Sequence, residues 1–461
     1  MAETSIVWFR QDLRLADQAA LAAAAAAGLV VPVYVLDDAA PGDWAIGGAQ
    51  RWWLHHSLAA LGAALAEAGA PLILRRGDAA DEIARLAEEV GATRVHAIRH
   101  YEPWWKAAEA ALGKRIALGL HDGYLLADPA AVRTGGGGRY RIFTPFWRAL
   151  EQRMPPPAPA PAPKRIVGGG TVRSDRLEDW ALLPNRPNWA TGFDEWTPGE
   201  AGAQEALATF GEAIDGYEVD RNMPAKEGSS RLSPHLHHGE ISPAAVWHAA
   251  SRRGVGPAAF LREIGWRDFT SNLIDQIPDY ADRNGRVAMD RMPWRSGAEA
   301  DRDFAAWTRG QTGYPIVDAG MRQLWTSGWM HNRVRMITAS FLIKHLLIDW
   351  RRGERWFWDT LVDADYGNNS VNWQWVAGSG VDSSPFGRIM APLGQSAKFD
   401  AADYIRRWVP ELAGLPDAAI HDPEEAGCTP TGYPAKLIGH REGRERALAA
   451  ARSTLSESAA T

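Results

Sequence analysis

The first 130 residues alternate short apolar runs with segments of helical period, and this alternation restricts the fold more than any other feature of the chain. The apolar runs are SIVWFR, VVPVYVLD, PLILRRG, TRVHAIRHY and IALGLHDGYLLAD. Between them lie QAALAAAAAAG, RWWLHHSLAALGAALAEAG and DAADEIARLAEEVG, whose apolar residues recur at helical spacing and which end in Gly. Such a pattern predicts a doubly wound α/β domain, a parallel sheet with helices on both faces, over residues 1–130. No GxGxxG follows the first run, so the standard dinucleotide fingerprint is absent there. A doubly wound sheet alone names no ligand.

The alternation then stops. Residues 154–170, MPPPAPAPAPKRIVGGG, are too rich in Pro and Gly for a helix or a central strand, and we read 131–200 as an interdomain linker. From 201 to 461 nearly every periodic segment is helical: AQEALATFGEAI, SPAAVWHAASRRG, AAFLREIGWRDFTSNLID, GYPIVDAGMRQLWTSG and WMHNRVRMITASFLIKHLLIDW, the last read as one helix. A chain of 461 residues is also longer than one core usually serves, so an α/β domain followed by a large all-α domain is the expected architecture.

Composition excludes several classes. No apolar stretch is long enough to span a bilayer, and MAETSIVWFR lacks the basic start and cleavage site of a secretory signal. The single cysteine, Cys428, rules out an internal disulfide framework, a four-cysteine zinc site and a four-cysteine iron–sulfur cluster; a reducing cytoplasm fits, and no metal site is expected. A formal charge of −6 makes a basic surface overall impossible, so a polyanion could meet only a local patch. The 22 tryptophans, many beside Arg, Asn or Gln, exceed what core packing alone explains.

Several polar constellations stand in the helical half. In EGSSRLSPHLHHGEISP the hydroxyls of Ser229, Ser230 and Ser233 surround Arg231 ahead of a helix start, which suits a phosphate; simple capping explains Ser233-Pro234 equally well. In FLREIGWRDFTSNLI, Glu263, Trp266, Arg267 and Thr270 share one helix face, either a salt-bridged surface or the wall of a polar cavity. Asn332, Arg335 and Met336 repeat the pattern before an apolar run, and buried Asn and Arg need partners. Between Met321 and Thr360 seven Lys or Arg face three Asp or Glu, which marks this segment as the local cationic patch. Asp363 and Asp365 follow, as turn formers or as partners for Arg335.

The stretches WFRQDLRLAD, EGSSRLS, REIGWRDF, GQTGYPIVDAGMRQLWTSGWMHNRVRM, LLIDWR, NNSVNWQW and GQSAKFDAADYIRRWVPEL together resemble the DNA photolyase/cryptochrome family, in particular the cyclobutane pyrimidine dimer photolyases. The likeness runs from about residue 5 to 445. It implies an N-terminal antenna-type domain and a helical domain holding FAD. The flavin would be gripped by Tyr217, Ser229, Ser230, Arg231, Leu232 and Ser233, by Phe260, Glu263 and Arg267, and by Asn332, Arg335, Asp363, Asp365 and Asn369. Asn369 would face flavin N5, where a neutral amide tolerates the anionic reduced flavin.

The same resemblance implies light-driven repair: excited reduced FAD lends one electron to a flipped-out dimer, the cyclobutane bonds split, and the electron returns. Trp266 and Trp375 would wall the dimer, with Met336 beside it, Glu263 on its base edge and Asn332 between base and flavin. Trp373, Trp350 and Trp294 would carry electrons to the flavin from the surface. Arg221, Arg333, Arg388 and Lys398 would meet phosphates of damaged, single- or double-stranded DNA. Asn332 and Met336 stand where repair of (6-4) photoproducts needs histidines, so dimer repair is expected. Trp104 and Trp105 replace the Asn-Glu pair of folate-binding members, which leaves the identity of an antenna chromophore open. A monomer is expected. A cryptochrome-type photoreceptor and a light-independent electron-transfer flavoprotein are the alternatives.

Overall fold

In a computed structural model the described residues are 3–459 except 171, 253–257 and 385–388. Five strands, β1 (Glu3–Phe9), β2 (Gly28–Leu36), β3 (Ile73–Arg76), β4 (Arg94–Ile98) and β5 (Ala117–His121), form a parallel sheet in the order β3-β2-β1-β4-β5. Ile6 of the central β1 is in register with Val31 of β2 and Val95 of β4. Ile6, Val7 and Trp8 are wholly buried, as expected of a strand covered on both faces, and this explains why β1 reads as an unbroken apolar run rather than an alternating one. The flanking helices end where the sequence says: Asp78 caps Ala79–Val90 by accepting from Asp81 N at 2.9 Å, and Gly91 closes it at φ +65°.

Strand order reverses between β1 and β4, and the carboxyl ends of strands at such a reversal are where open α/β sheets usually hold a ligand. Here that crevice is filled. Arg10, Asp12, Arg14, His100 and Glu102 are all buried in it, and Leu13 N donates to His238 O at 3.1 Å in the helical half. Arg14 donates to Gly239 O at 2.9 Å. Gly239 has φ +68°, and a Cβ there would run into the backbone of Gln11 and Asp12, so only glycine permits this approach. The switch point of the sheet is thus a docking seat for the helical half.

The linker is more structured than its composition suggests. Val167–Gly168 adds a two-residue parallel strand, β6, to β2 opposite Leu29 and Val30, an edge position compatible with the glycines around it. Phe143–Glu151, also within the stretch read as linker, is a helix packed on Ala258–Gln276. The segment read as one long helix after Trp329 is broken twice. His331 accepts from Arg333 N at 3.2 Å and starts a helix at Asn332–Ser340; a single π turn follows at Phe341–His345. The chain then reverses at Leu347, φ +50°, and Asp349 caps Trp350–Thr360 by accepting from Arg351 N at 3.1 Å. An apolar run buried on all sides carries no period that could show these breaks; the two caps do. Tyr366–Ala377, containing NNSVNWQW, packs against Ala258–Gln276, Asn332–Ser340 and Trp350–Thr360.

Candidate functional site: a polar and aromatic cavity in the helical half

Where these four helices meet the Ser229–His237 segment there is a cavity of about 490 Å³. Ala258–Gln276 contributes Phe260, Glu263, Trp266 and Arg267 to its wall, because positions three and four apart share one helix face. Thr270, on the same stripe, instead donates to Asn368 Oδ1 at 3.0 Å and ties this helix to Tyr366–Ala377. The helix Asn332–Ser340 presents Asn332, Arg333, Arg335 and Met336. Asp363, Asp365 and Asn369 come from the following turn and helix, and Tyr217, Arg221, Ser229, Ser230, Arg231 and Ser233 close the remaining side. Leu232 is fully buried behind the wall rather than in it.

Much of the charge on the wall is paired. Arg335 forms a fork with Asp363, Nη1 to Oδ1 at 3.0 Å and Nη2 to Oδ2 at 2.8 Å, which answers the requirement that a buried arginine find a partner. Arg221 Nη1 donates to Glu263 Oε1 at 2.5 Å, so two residues assigned to different roles by resemblance lie in one ion pair, leaving Glu263 Oε2 as the second acceptor. Arg231, at φ +51°, pairs with Glu195 at 2.9 Å and lies 4.1 Å over Trp196. Arg267 donates to the carbonyls of Tyr124 at 3.3 Å and Leu236 at 3.0 Å. Asn369 Nδ2 donates to Glu354 O at 3.0 Å, which leaves Oδ1 as its acceptor.

The cationic patch expected between Met321 and Thr360 is largely neutralised by acids from elsewhere. Arg322 pairs with Glu411 at 2.7 Å, Arg352 with Asp301 at 2.9 Å and Arg355 with Asp282 at 3.3 Å. A count of charge along the sequence cannot register partners that arrive through the fold. Arg333 is different: among the described residues no carboxylate lies within ion-pair reach of it, and its guanidinium sits 4.6 Å over Phe399. Lys398 approaches the same ring at 5.3 Å, which places it beside Arg333 but not in the cavity wall. Arg388 lies outside the described residues.

Of the tryptophans, Trp266 and Trp375 line the cavity, and Trp266 is stacked face to face on Phe143 at 3.6 Å, which fixes its ring. Trp373 also lines it but is 3% exposed, with its indole turned to Phe357 at 4.9 Å and Trp307 at 6.4 Å. The two rings of NWQW therefore point apart because the segment is a helix. Trp350 is fully buried with Nε1 donating to Asn284 Oδ1 at 3.0 Å, and Trp294 is half-buried; among the described residues no ring contact joins either of them to Trp373.

Two cavity histidines escaped the sequence reading. His331 accepts from Arg333 N through Nδ1, so its proton is on Nε2, which is buried and has no partner; burial and then Arg333, Arg335 and Arg221 push it down to about 4, so it is a neutral donor at physiological pH. His237 lies 3.7 Å from Asp365 Oδ2. Burial would raise the Asp365 carboxyl, but the nearness of His237, with Arg267 behind, holds it well below the usual carboxylate range. Each histidine adjoins a motif already singled out, SSRLSPHLH and HNRVRM, and proximity to those motifs was the available signal. Three hydroxyls, a forked Arg–Asp pair, amide groups and an unpartnered imidazole N–H, set beside aromatic walls, suit a ligand with phosphates and a flat heteroaromatic ring bearing amide groups. FAD has that chemistry.

Residues 5–164 match the family described as DNA photolyase, and residues 260–453 match the FAD binding domain of DNA photolyase. The chain is 50% identical to the deoxyribodipyrimidine photo-lyase of Agrobacterium fabrum, an alignment spanning 96% of this chain and 97% of that one. It is 41% identical to the enzyme of the same name from Streptomyces griseus over 96% of this chain and 98% of the relative. The crystal structure of a bacterial class III photolyase from Agrobacterium tumefaciens superposes with a TM-score of 0.93 at 48% identity, covering 99% of this chain and 98% of that one. The parallel sheet, the helical half with its cavity and these matches along nearly the whole chain lead to one conclusion: the protein belongs to the DNA photolyase family.

Proposed function

We propose that the protein is a light-driven deoxyribodipyrimidine photo-lyase that repairs cyclobutane pyrimidine dimers in DNA. The observation that carries this reading is a single cavity in which residues suited to FAD and residues suited to two splayed-out neighbouring bases share one wall. When bound in reduced form, FAD supplies an excited electron that opens the cyclobutane ring.

The chain's own residues do the rest. Ser229, Ser230 and Ser233 offer hydroxyl donors to phosphate oxygens, and the Arg335–Asp363 fork presents a fixed donor and acceptor pair to the flavin. Asn369 Oδ1 accepts without adding charge, which favours an anionic reduced flavin over a site with a carboxylate there. A pyrimidine dimer stacks poorly, so taking it out of the duplex costs less than removing normal bases. Trp266, held rigid by Phe143, and Trp375 would bound the dimer, with Met336 filling between them. Glu263 Oε2 would accept from the base edge while Oε1 stays with Arg221. Arg333 on the cavity wall and Lys398 beside it would meet phosphates next to the lesion. Trp373, Trp350 and Trp294 would pass electrons inward during photoreduction. The protein would act as a monomer in the cytoplasm.

An antenna chromophore in the α/β half would not stack on Trp105. Trp104 packs edge-on against Tyr366 at 5.1 Å; Trp105 is buried and packs edge-on against Trp8 at 5.9 Å, so its ring forms no open platform. To test the function, reduced holoprotein is illuminated with an oligonucleotide carrying one thymine dimer and the dimer is counted. Light-dependent loss of the dimer is expected; an undiminished dimer overturns the reading.

A further inference from the structure

The two cavity groups His237 and Asp365 belong to the helical half, yet both are held by residues of the α/β half that do not reach the cavity. Gln50, wholly buried on the helix Gly48–Ala68, donates through Nε2 to Trp358 O at 3.2 Å. That bond fixes which end of the amide faces His237: Gln50 Oε1 lies 3.2 Å from His237 Nε2. An amide oxygen can only accept, so His237 carries a proton on Nε2. The other ring nitrogen, Nδ1, is buried without a hydrogen-bond partner and lies 3.7 Å from Asp365 Oδ2. His237 therefore offers Nδ1, and Nδ1 alone, for proton exchange or hydrogen bonding on the side of Asp365.

Asp365 is fixed from the same direction. Tyr124 O–H donates to Asp365 Oδ2 at 2.7 Å, and Asn368 N donates to Oδ1 at 2.7 Å. Tyr124 is itself clamped between His100, with ring centroids 4.5 Å apart, and Arg267, whose guanidinium lies 5.0 Å from its ring. The charged and titratable groups around the pair are thus His238, packed on His237 at 4.7 Å, together with Arg267, Tyr124, His100 and the buried Glu102. His237 and Asp365 line the cavity; Gln50 and Tyr124 do not.

We propose that Gln50 and Tyr124 are positioning residues through which the α/β half sets the flavin site: they hold His237 Nδ1 and the Asp365 carboxylate side by side, 3.7 Å apart, as one unit on the cavity wall. The Asp365 carboxylate gives that unit a negative charge on the cavity wall, and the nearness of His237 offsets it. The reduction of a flavin that gains negative charge therefore depends on how the unit is held. The inference rests on the reading that this cavity holds FAD.

The test compares holoprotein with Tyr124→Phe, His237→Gln and the double variant, reading FAD retention on dialysis and the flavin midpoint potential between pH 6 and 8. Tyr124→Phe removes one hydroxyl and keeps the ring contacts. It is expected to weaken FAD binding by about tenfold, the typical worth of a hydrogen bond to a buried charge, and to shift the potential and its pH dependence. Because the residues act as one unit, the double variant should change the potential no more than the larger single change. A Tyr124→Phe protein with unchanged affinity and potential overturns the inference, and so do strictly additive effects, which would mean that the Tyr124 hydroxyl and His237 act independently of one another. Should Tyr124→Phe not fold, Gln50→Met reads the same unit from the His237 side. Failure of the unaltered protein to retain FAD would instead sink the proposed function, so the two failures are distinguishable.

Discussion

Glu263 shows how much one pairing can change a residue's reading. Its position on a stripe with Trp266 and Arg267 is visible in the sequence, but its bond to Arg221, 42 residues away, is not. Glu263→Ala should leave FAD bound and weaken binding of dimer-containing DNA by about tenfold, through loss of the base-edge acceptor; a filter-binding titration with an unchanged midpoint would remove Glu263 from this role. His331 gives a pH signature. In the unfolded chain it gains a proton below its ordinary value of 6.5, whereas in the fold it resists until about 4, so it takes away stability progressively as pH falls through that window. His331→Gln should therefore lessen the loss of stability between pH 6.5 and 4 by on the order of 3 kcal/mol in urea unfolding of the apoprotein; parallel curves for the two proteins would show that His331 is not neutral in the fold. The sequence made the serines, Arg335 and Asp363 legible because they recur in recognisable motifs. His237 was not legible, since a histidine in HLHH looks the same whether it faces a core or a cavity.

At the level of elements, the cavity depends on how closely Trp350–Thr360 approaches Tyr366–Ala377. Gly353 is the contact point: a Cβ there would run into the Trp373 ring and Leu342. Alanine's greater helix propensity is worth up to about 1 kcal/mol, whereas overpacking a core costs about 1–3 kcal/mol, so Gly353→Ala should be destabilising on balance. Thermal melting checks the sign; a raised Tm would mean that the two helices can move apart freely. The strands and most helices were legible because a parallel sheet and its covering helices impose different periods. The run from Phe341 to Asp349 was not, because burial on every side erases the period and leaves only His331 and Asp349, whose capping bonds become clear in three dimensions. The helix Phe143–Glu151 was likewise hidden inside a segment dominated by proline, though it supplies the ring on which Trp266 rests.

The whole molecule joins a sheet whose usual ligand crevice is closed to a helical half whose cavity is open. The switch point that would hold a nucleotide in a lone doubly wound domain is occupied by buried charge and serves as the seat for His238 and Gly239. Binding has moved to the other half. Because the net charge is −6 and cations of the Met321–Thr360 segment such as Arg322 and Arg352 are paired with acids, we expect DNA affinity to come from a few residues beside the cavity. With about three phosphate contacts, affinity should fall about 10- to 100-fold between 50 and 200 mM salt; a salt-independent Kd would exclude a phosphate-contacting rim. The central claim is that one cavity takes both the flavin and the extruded lesion. A crystal structure of the FAD-loaded protein with a duplex carrying one thymine dimer tests it most directly. It should show the dimer between Trp266 and Trp375 in van der Waals contact with a flavin beside Arg335 and Asp363; a dimer still stacked in the duplex, or a flavin bound elsewhere, would contradict it.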